Sequence, residues 1–593
     1  MKSLIAQHNG KPTLFIDGAP VAGMAYTTYF EERSRYEDFL GAGYRIFFVN
    51  VSFTALPINP QTLFTPFHVG IFEDPDRPDY SEFENAANKI LTACPDAIIF
   101  PRIYVSMPKW WIESHPDEVY VTEKGHPREV MFSEAFRRDA SEMLARVIRY
   151  IKASPYASRI GGWMFCGAAT QEWLYRDSNG DISQAALEPY ARWIQETYGE
   201  DHASLPQKAE FEHTEDASPL SENALRYSIF SNLAMAKTMD LFAKVIKTET
   251  DRRQVVGTFY GYLFEAHSPL FGTHALREVI DSPHVDFFAS PNAYLQNRPL
   301  GIDWVDMMPV DAMRSHGKLV FMECDIRTYL TTGIQEARPG EYPEDIYKNA
   351  IWAGPPTPEL SREALRKSYA HQLTRASAIW WFDMWGGWYR DRLLMKALAD
   401  LKKISDADLS KDASNAISPE VVFFADERGH AYIRKRSPHV KEFKATRVAM
   451  GNTGVPYDAL MVEDAEVVLK NYKAAVFPSP FASEEGKKAM ALCERLGIPY
   501  LTASNTHARL KVDRIIDFYK QSGVHFYSEE KDVVYLGNGY LALHAATEGA
   551  KILHLPKALH VTPIFGTDIP AQTTDRISLS LPQYGTALFA IEE

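Results

Sequence analysis

Two glutamates stand where reactive carboxylates would be useful. Glu172 follows the apolar run Ile160-Gly-Gly-Trp-Met-Phe-Cys across a short stretch, Gly167-Ala-Ala-Thr-Gln, and Glu323 closes the run Lys318-Leu-Val-Phe-Met-Glu. A charge at the end of a buried strand is costly unless it faces a polar cavity or a partner. Taken singly, either glutamate is more often a structural ion-pair residue. Held about 5–5.5 Å apart, two carboxylates can do more: one attacks a glycosidic carbon while the other protonates the leaving oxygen and then activates water. Aromatic residues surround both. The chain has 11 Trp, 30 Tyr and 33 Phe, many at the ends of apolar runs, as in Trp380-Trp381 and Trp385. Flat rings stack on the C–H faces of sugars, although a large core also uses aromatics simply as packing.

The elements that must position this pair are eight apolar, β-rich runs: 23–30, 44–53, 97–105, 160–165, 254–260, 285–290, 318–323 and 378–383. Several are nearly continuous rather than alternating, the pattern of strands buried on both faces. Helical patterns separate them, among them 133–151 and 221–248. Eight strand–helix units predict an α/β chain whose first 400 residues form a (β/α)8 TIM barrel, the competing reading being a doubly wound open sheet. Barrel enzymes carry their reactive groups at the C-terminal ends of the strands. Glu172 and Glu323 belong to the fourth and seventh runs, 151 residues apart, and strands four and seven look across the barrel at one another. Ahead of the first run, residues 10–21 read as a small hairpin turning at Asp17-Gly18, placed to close the barrel floor.

After Leu401 the texture changes. Residues 401–417 read as a polar linker, 418–532 as a three-layer α/β domain without a phosphate-binding loop, and 533–593 as a small β domain. Asp177, Asn179, Asp181 and Glu188 fall at calcium-loop offsets, but Ile182 stands where the turn glycine belongs, which favours a polar surface turn. The net charge of −14 argues against nucleic-acid binding. No apolar run reaches the roughly 18 residues of a membrane helix, and the first residues lack a secretory core. Four scattered cysteines fit a reducing, cytoplasmic setting. Nothing in the sequence asks for a metal or other cofactor. A metal-dependent barrel hydrolase would need histidines at its strand ends, and the eight runs contain none.

With these residues in view, the chain resembles the clan A retaining β-glycosidases, most nearly the family 42 β-galactosidases. The likeness is carried by Met107-Pro-Lys-Trp-Trp-Ile-Glu-Ser-His-Pro-Asp-Glu after the third run, the helical stretch from Arg137 to Ile151, Tyr190–Gly199 and Ala378-Ile-Trp-Trp-Phe-Asp-Met-Trp. The resemblance implies a glycoside substrate, Glu172 as acid/base, Glu323 as nucleophile, and a flavodoxin-like domain that assembles a homotrimer. It also implies that Tyr294, in Ser290-Pro-Asn-Ala-Tyr, bonds the nucleophile. Arg102 is a candidate for holding a sugar hydroxyl or steadying Glu323, Trp381 or Trp385 for the sugar platform, and Asp383 for a bidentate grip on adjacent hydroxyls. One departure stands out: the clan usually has Asn before the acid/base, where it contacts the 2-hydroxyl, and here the residue is Gln171. That extra methylene opens a β-mannosidase of the same clan, or a non-catalytic sugar-binding barrel, as alternatives.

Overall fold

The computed structural model describes residues 1–122, 124–175, 182–265, 268–294, 297–503 and 510–593. Eight parallel strands close a barrel: β1 (Met24–Thr27), β2 (Ile46–Ser52), β3 (Ile98–Tyr104), β4 (Gly162–Cys166), β5 (Val255–Phe259), β6 (Phe287–Pro291), β7 (Leu319–Cys324) and β8 (Ala378–Phe382). Each overlaps one of the eight apolar runs, three of them ending one residue beyond it, and β8 pairs with β1 to complete the ring. All seven residues of β2 are buried, as continuous apolar character requires. Rings fill the interior: Phe48 packs 4.6 Å from Trp380, 5.0 Å from Phe100 and 5.3 Å from Phe321. Gly257 on β5 is needed there, because a Cβ would lie 2.1 Å from the Phe287 ring.

The long helices start where the sequence provides caps. The Ser133 side chain accepts the Phe136 N–H ahead of helix Glu134–Ala153, and that of Ser221 accepts the Ala224 N–H ahead of helix Glu222–Glu249. Below the barrel the expected hairpin, strands Lys11–Ile16 and Ala19–Val21 around Asp17-Gly18, is joined by a third antiparallel strand, Ser3–His8. Both turns use paired left-handed residues, Asn9-Gly10 and Asp17-Gly18, the geometry that matches strand twist. Ser3 hydrogen-bonds Arg253 and Val255, which ties this sheet to the foot of β5.

The expected linker needs a correction. Helix Arg392–Asp408 runs through its first eight positions, because Leu394, Ala397, Leu398 and Leu401 continue a buried helical stripe and Lys402 pairs with Asp406 one turn on. Beyond it, a four-stranded parallel sheet has the order Tyr457–Met461, Val421–Ala425, Ala474–Phe477, Tyr500–Thr502. A five-stranded antiparallel sheet of residues 533–592 follows. Buried charges join these parts to the barrel: Arg375 reaches Asp311 at 2.6 Å and Asp458 at 3.2 Å, and Tyr535 donates to Asp303 at 2.8 Å. Of the calcium-loop set, residues 177, 179 and 181 lie outside the described residues, while Glu188 pairs with Arg192 on helix Leu187–Tyr198. Among the described residues, no helix is long and apolar enough to cross a membrane.

Candidate active site

At the C-terminal mouth of the barrel lies a cavity of about 750 Å³, lined among others by Glu172, Tyr262, Tyr294, Trp352, Trp385 and Arg436. Glu172 does not sit at the end of β4 itself. It lies six residues beyond Cys166 on a compact turn in which Ala168, Thr170, Gln171 and Trp173 all adopt left-handed backbone, with φ between 54° and 61°. The turn is anchored by Trp173, whose ring folds back over Gly167 and whose indole N–H donates to Thr258 on β5 at 2.8 Å. A side chain at Gly167 would collide with that ring at 2.6 Å. The turn lifts Glu172 into the cavity, where the Tyr262 hydroxyl donates to Oε1 at 2.9 Å and the Thr170 hydroxyl bonds Oε2.

Glu323 is built differently. It is a residue of β7 proper, paired in register with Pro291 and Trp380, and only 3% exposed. It lies beneath Tyr29, Tyr262 and Tyr294, which line the cavity and are near enough to feel its charge. Burial pushes its carboxyl well above the usual range, against the pull of Arg102; Asp325 and Glu172 add to the rise. Arg102 on β3 is also buried, its guanidinium 5.0–5.7 Å from the rings of Trp380, Tyr104, Phe259, Phe382 and Tyr29. Its Nε and Nη1, like Glu323 Oε2, are buried without a hydrogen-bond partner.

Several expectations change on contact with the structure. Tyr294 lines the cavity, but its hydroxyl donates to Asp325 at 3.0 Å and not to Glu323. Gln171 turns inward: its amide donates to Ser106 at 2.8 Å, away from the cavity. Trp381 faces out of the barrel, where its N–H donates to the Tyr44 hydroxyl at 2.8 Å; alternation along β8 sends Trp380, not Trp381, to the interior. Asp383 closes its own turn by accepting the Gly387 and Trp388 N–H groups, both at 2.8 Å, and the Tyr26 hydroxyl at 3.1 Å. Burial pushes its carboxyl up to about 6, and it presents nothing to a ligand. Trp385 is the aromatic that reaches the cavity, stacked at 6.0 Å on Trp352.

Sequence reasoning missed Asp325, Tyr262, Thr170, Trp352 and Arg436. Asp325 left a signal, since it is two residues from Glu323 and shares its face of the strand. It is fully buried, with Arg298 and Arg327 each at 2.5 Å. Burial pushes its carboxyl up, but the two guanidiniums outweigh that and hold it below the usual range.

No family model matches the chain, and no curated protein matches it in sequence. Solved structures do. The β-galactosidase of Bacillus circulans sp. alkalophilus superposes with a TM-score of 0.64 over 97% of this chain and 99% of its own, at 13% identity. That of the haloarchaeon Halorubrum lacusprofundi gives 0.61 over 96% and 98%, at 12% identity. Gan42B, a family GH42 β-galactosidase, gives 0.61 over 99% of both chains at 11% identity, and the GH42 exo-carrageenase of Bacteroides ovatus gives 0.59 over 100% and 85% at 12%. The fold is that of the family 42 β-galactosidases. The likeness runs from the barrel through both carboxy-terminal domains, at 11–13% identity.

Proposed function

We propose that the protein is a retaining exo-β-glycosidase that hydrolyses β-galactosides by double displacement. The observation that supports this reading is an aromatic-lined cavity at the C-terminal mouth of the barrel that Glu172 lines, with Glu323 buried behind its tyrosines, each glutamate close enough to act on the same tyrosine, Tyr262. The difference between the two glutamates supports their roles. Glu323 is held on a strand and buried behind the cavity's tyrosines, as suits a nucleophile that must be fixed in place. Glu172 stands in the open cavity, where the leaving oxygen departs and water enters, as suits a general acid and base. In the first step a Glu323 oxygen bonds the anomeric carbon, the bond to the leaving oxygen breaks, and Glu172 gives that oxygen its proton. In the second, Glu172 takes a proton from water, the hydroxide bonds the anomeric carbon, and Glu323 is released. Arg102 opposes the burial that keeps Glu323 protonated, so it favours the attacking form. Trp385 and Trp352 supply the stacking surface.

The β-mannoside reading rested on Gln171, and its amide faces Ser106 rather than the cavity, which leaves the galactoside reading ahead. The proposal includes assembly as a homotrimer through residues 418–532, to be checked by light scattering at three times the 67.2 kDa chain mass. The four free cysteines support a reducing compartment.

A panel of aryl β-D-glycosides, including galactoside, mannoside, glucoside, fucoside and glucuronide, tests the activity. Galactoside turnover is expected, with Glu323→Ala and Glu172→Ala each lowering it by about three or more powers of ten. Azide should restore Glu323→Ala through an α-glycosyl azide and Glu172→Ala through a β-glycosyl azide. Sugar binding without turnover of any glycoside would instead support a non-catalytic barrel.

A further inference from the structure

Arg436 belongs to the second domain, yet it lines the cavity that holds Glu172. It is the last of three consecutive cations, and the other two are committed. Arg434 donates to the carbonyls of Glu210 and Ser218, and Lys435 meets the Glu212 carboxylate at 3.1 Å. Arg436 is exposed between the buried Lys435 and Ser437, on left-handed backbone with φ 61°, so its base is fixed while its guanidinium is free to reach into the cavity. Among the described residues it meets no carboxylate.

The charges around the cavity leave this arginine unbalanced. Of the two lining carboxylates among the described residues, Glu265 is paired with Lys444 at 3.3 Å. Glu172, as the general acid, carries its proton before the first step. The layer behind the cavity adds positive charge, since among the described residues the carboxylates that Arg102, Arg298 and Arg327 face are Glu323 and Asp325, and Arg327 lies 4.5 Å from the ring of the cavity-lining Trp352. Among its described residues, a protein with a net charge of −14 thus keeps an excess of positive charge at one concave place.

We infer that the cavity accepts an anionic saccharide, with Arg436 pairing with a carboxylate or sulfate ester on the sugar unit bound on the leaving-group side. A guanidinium offers two parallel N–H donors to either oxyanion. The inference rests on the glycosidase reading and deepens it by naming the substrate class. It also gives the second domain a part in specificity, since Arg436 reaches the catalytic cavity from outside the barrel.

Three β-galactosyl disaccharides that share a linkage and differ in the reducing unit, which is neutral, a uronate or a sulfate ester, provide the test. Their binding is measured by calorimetry on full-length Glu323→Gln, and their turnover on the unsubstituted enzyme. At least one anionic disaccharide is expected to bind about three- to tenfold more tightly than the neutral one, with a preference that shrinks as salt is added. Which of the two does so identifies the oxyanion. Arg436→Ala should abolish the preference, Arg436→Glu reverse it and Arg436→Lys retain most of it. Neutral and anionic forms binding alike, or a preference that survives Arg436→Ala, would overturn the inference while neutral turnover keeps the glycosidase reading intact. Failure of all three disaccharides to bind or to be cleaved would overturn the glycosidase reading and the inference with it.

Discussion

The layer behind the cavity around Glu323 and the ionic knot around Asp325 are two residues apart on the chain, and both are out of water beside arginine. Their carboxyls nevertheless move in opposite directions. Asp325 is gripped at 2.5 Å by both Arg298 and Arg327 and accepts a third hydrogen bond from Tyr294. Glu323 has only the fields of Arg102, a guanidinium held among five rings, and, more weakly, Arg298, and one of its oxygens is buried unpartnered. Direct charge-assisted hydrogen bonds overcome desolvation, and a nearby cation without them does not. One region is therefore a support, and the other is left unsatisfied for a substrate to complete.

Asp325→Asn should have the largest effect on stability. It leaves two buried arginines facing a neutral amide, at a cost of about 3–5 kcal/mol at pH 7 by chemical denaturation. The folded pKa of Asp325 lies below its unfolded value, so its contribution is present above the unfolded pKa, about 3.9, and is lost as pH falls through the folded one. The cost of the substitution should shrink in the same window. Glu323 has the opposite sign. Its raised folded pKa favours the fold below about 4.3, and that benefit is lost as pH rises through the folded value. Glu323→Gln is accordingly expected to gain about 1–3 kcal/mol at pH 7 while abolishing turnover, the gain growing from acid to neutral pH. Equal signs for the two variants would break the comparison.

The same contrast bears on the proposed catalysis. As the proposed nucleophile, Glu323 has to be ionised to attack, so kcat/KM should fall on acidification at a pH above the ordinary glutamate range. Arg102→Met, which removes the opposing charge, should move that acid limb higher still; an unmoved limb would assign it to another group. The smallest expected effect is at the wall. Trp352→Ala should raise KM about five- to tenfold with little change in acid limb or stability, because the ring serves as a surface rather than as support.

Much of the fold was legible along the chain. Eight apolar runs became eight barrel strands because continuous burial on both faces leaves a mark on every residue of a strand. The helical patterns over 133–151 and 221–248 became helices Glu134–Ala153 and Glu222–Glu249 because amphipathic periodicity is local. Polarity over 401–408 does not signal irregular structure there, since a helix with one buried stripe is mostly polar. Glu172, Glu323, Arg102, Tyr294 and Trp385 could all be picked out by type and place, but their contacts could not. The bonding of Tyr294 to Asp325, the inward turn of Gln171 and the outward face of Trp381 depend on neighbours far away in sequence.

The sequence by itself determined which segments are strands, which residues are chemically able and in what order they come, because periodicity, capping and residue type act within a few positions. Only the tertiary structure decided which carboxylate is satisfied and which is left open, and which aromatic meets the cavity. It also decided that an arginine from the second domain reaches into the barrel mouth. Those outcomes are set by burial and by hydrogen bonds between distant segments, and no local pattern encodes them.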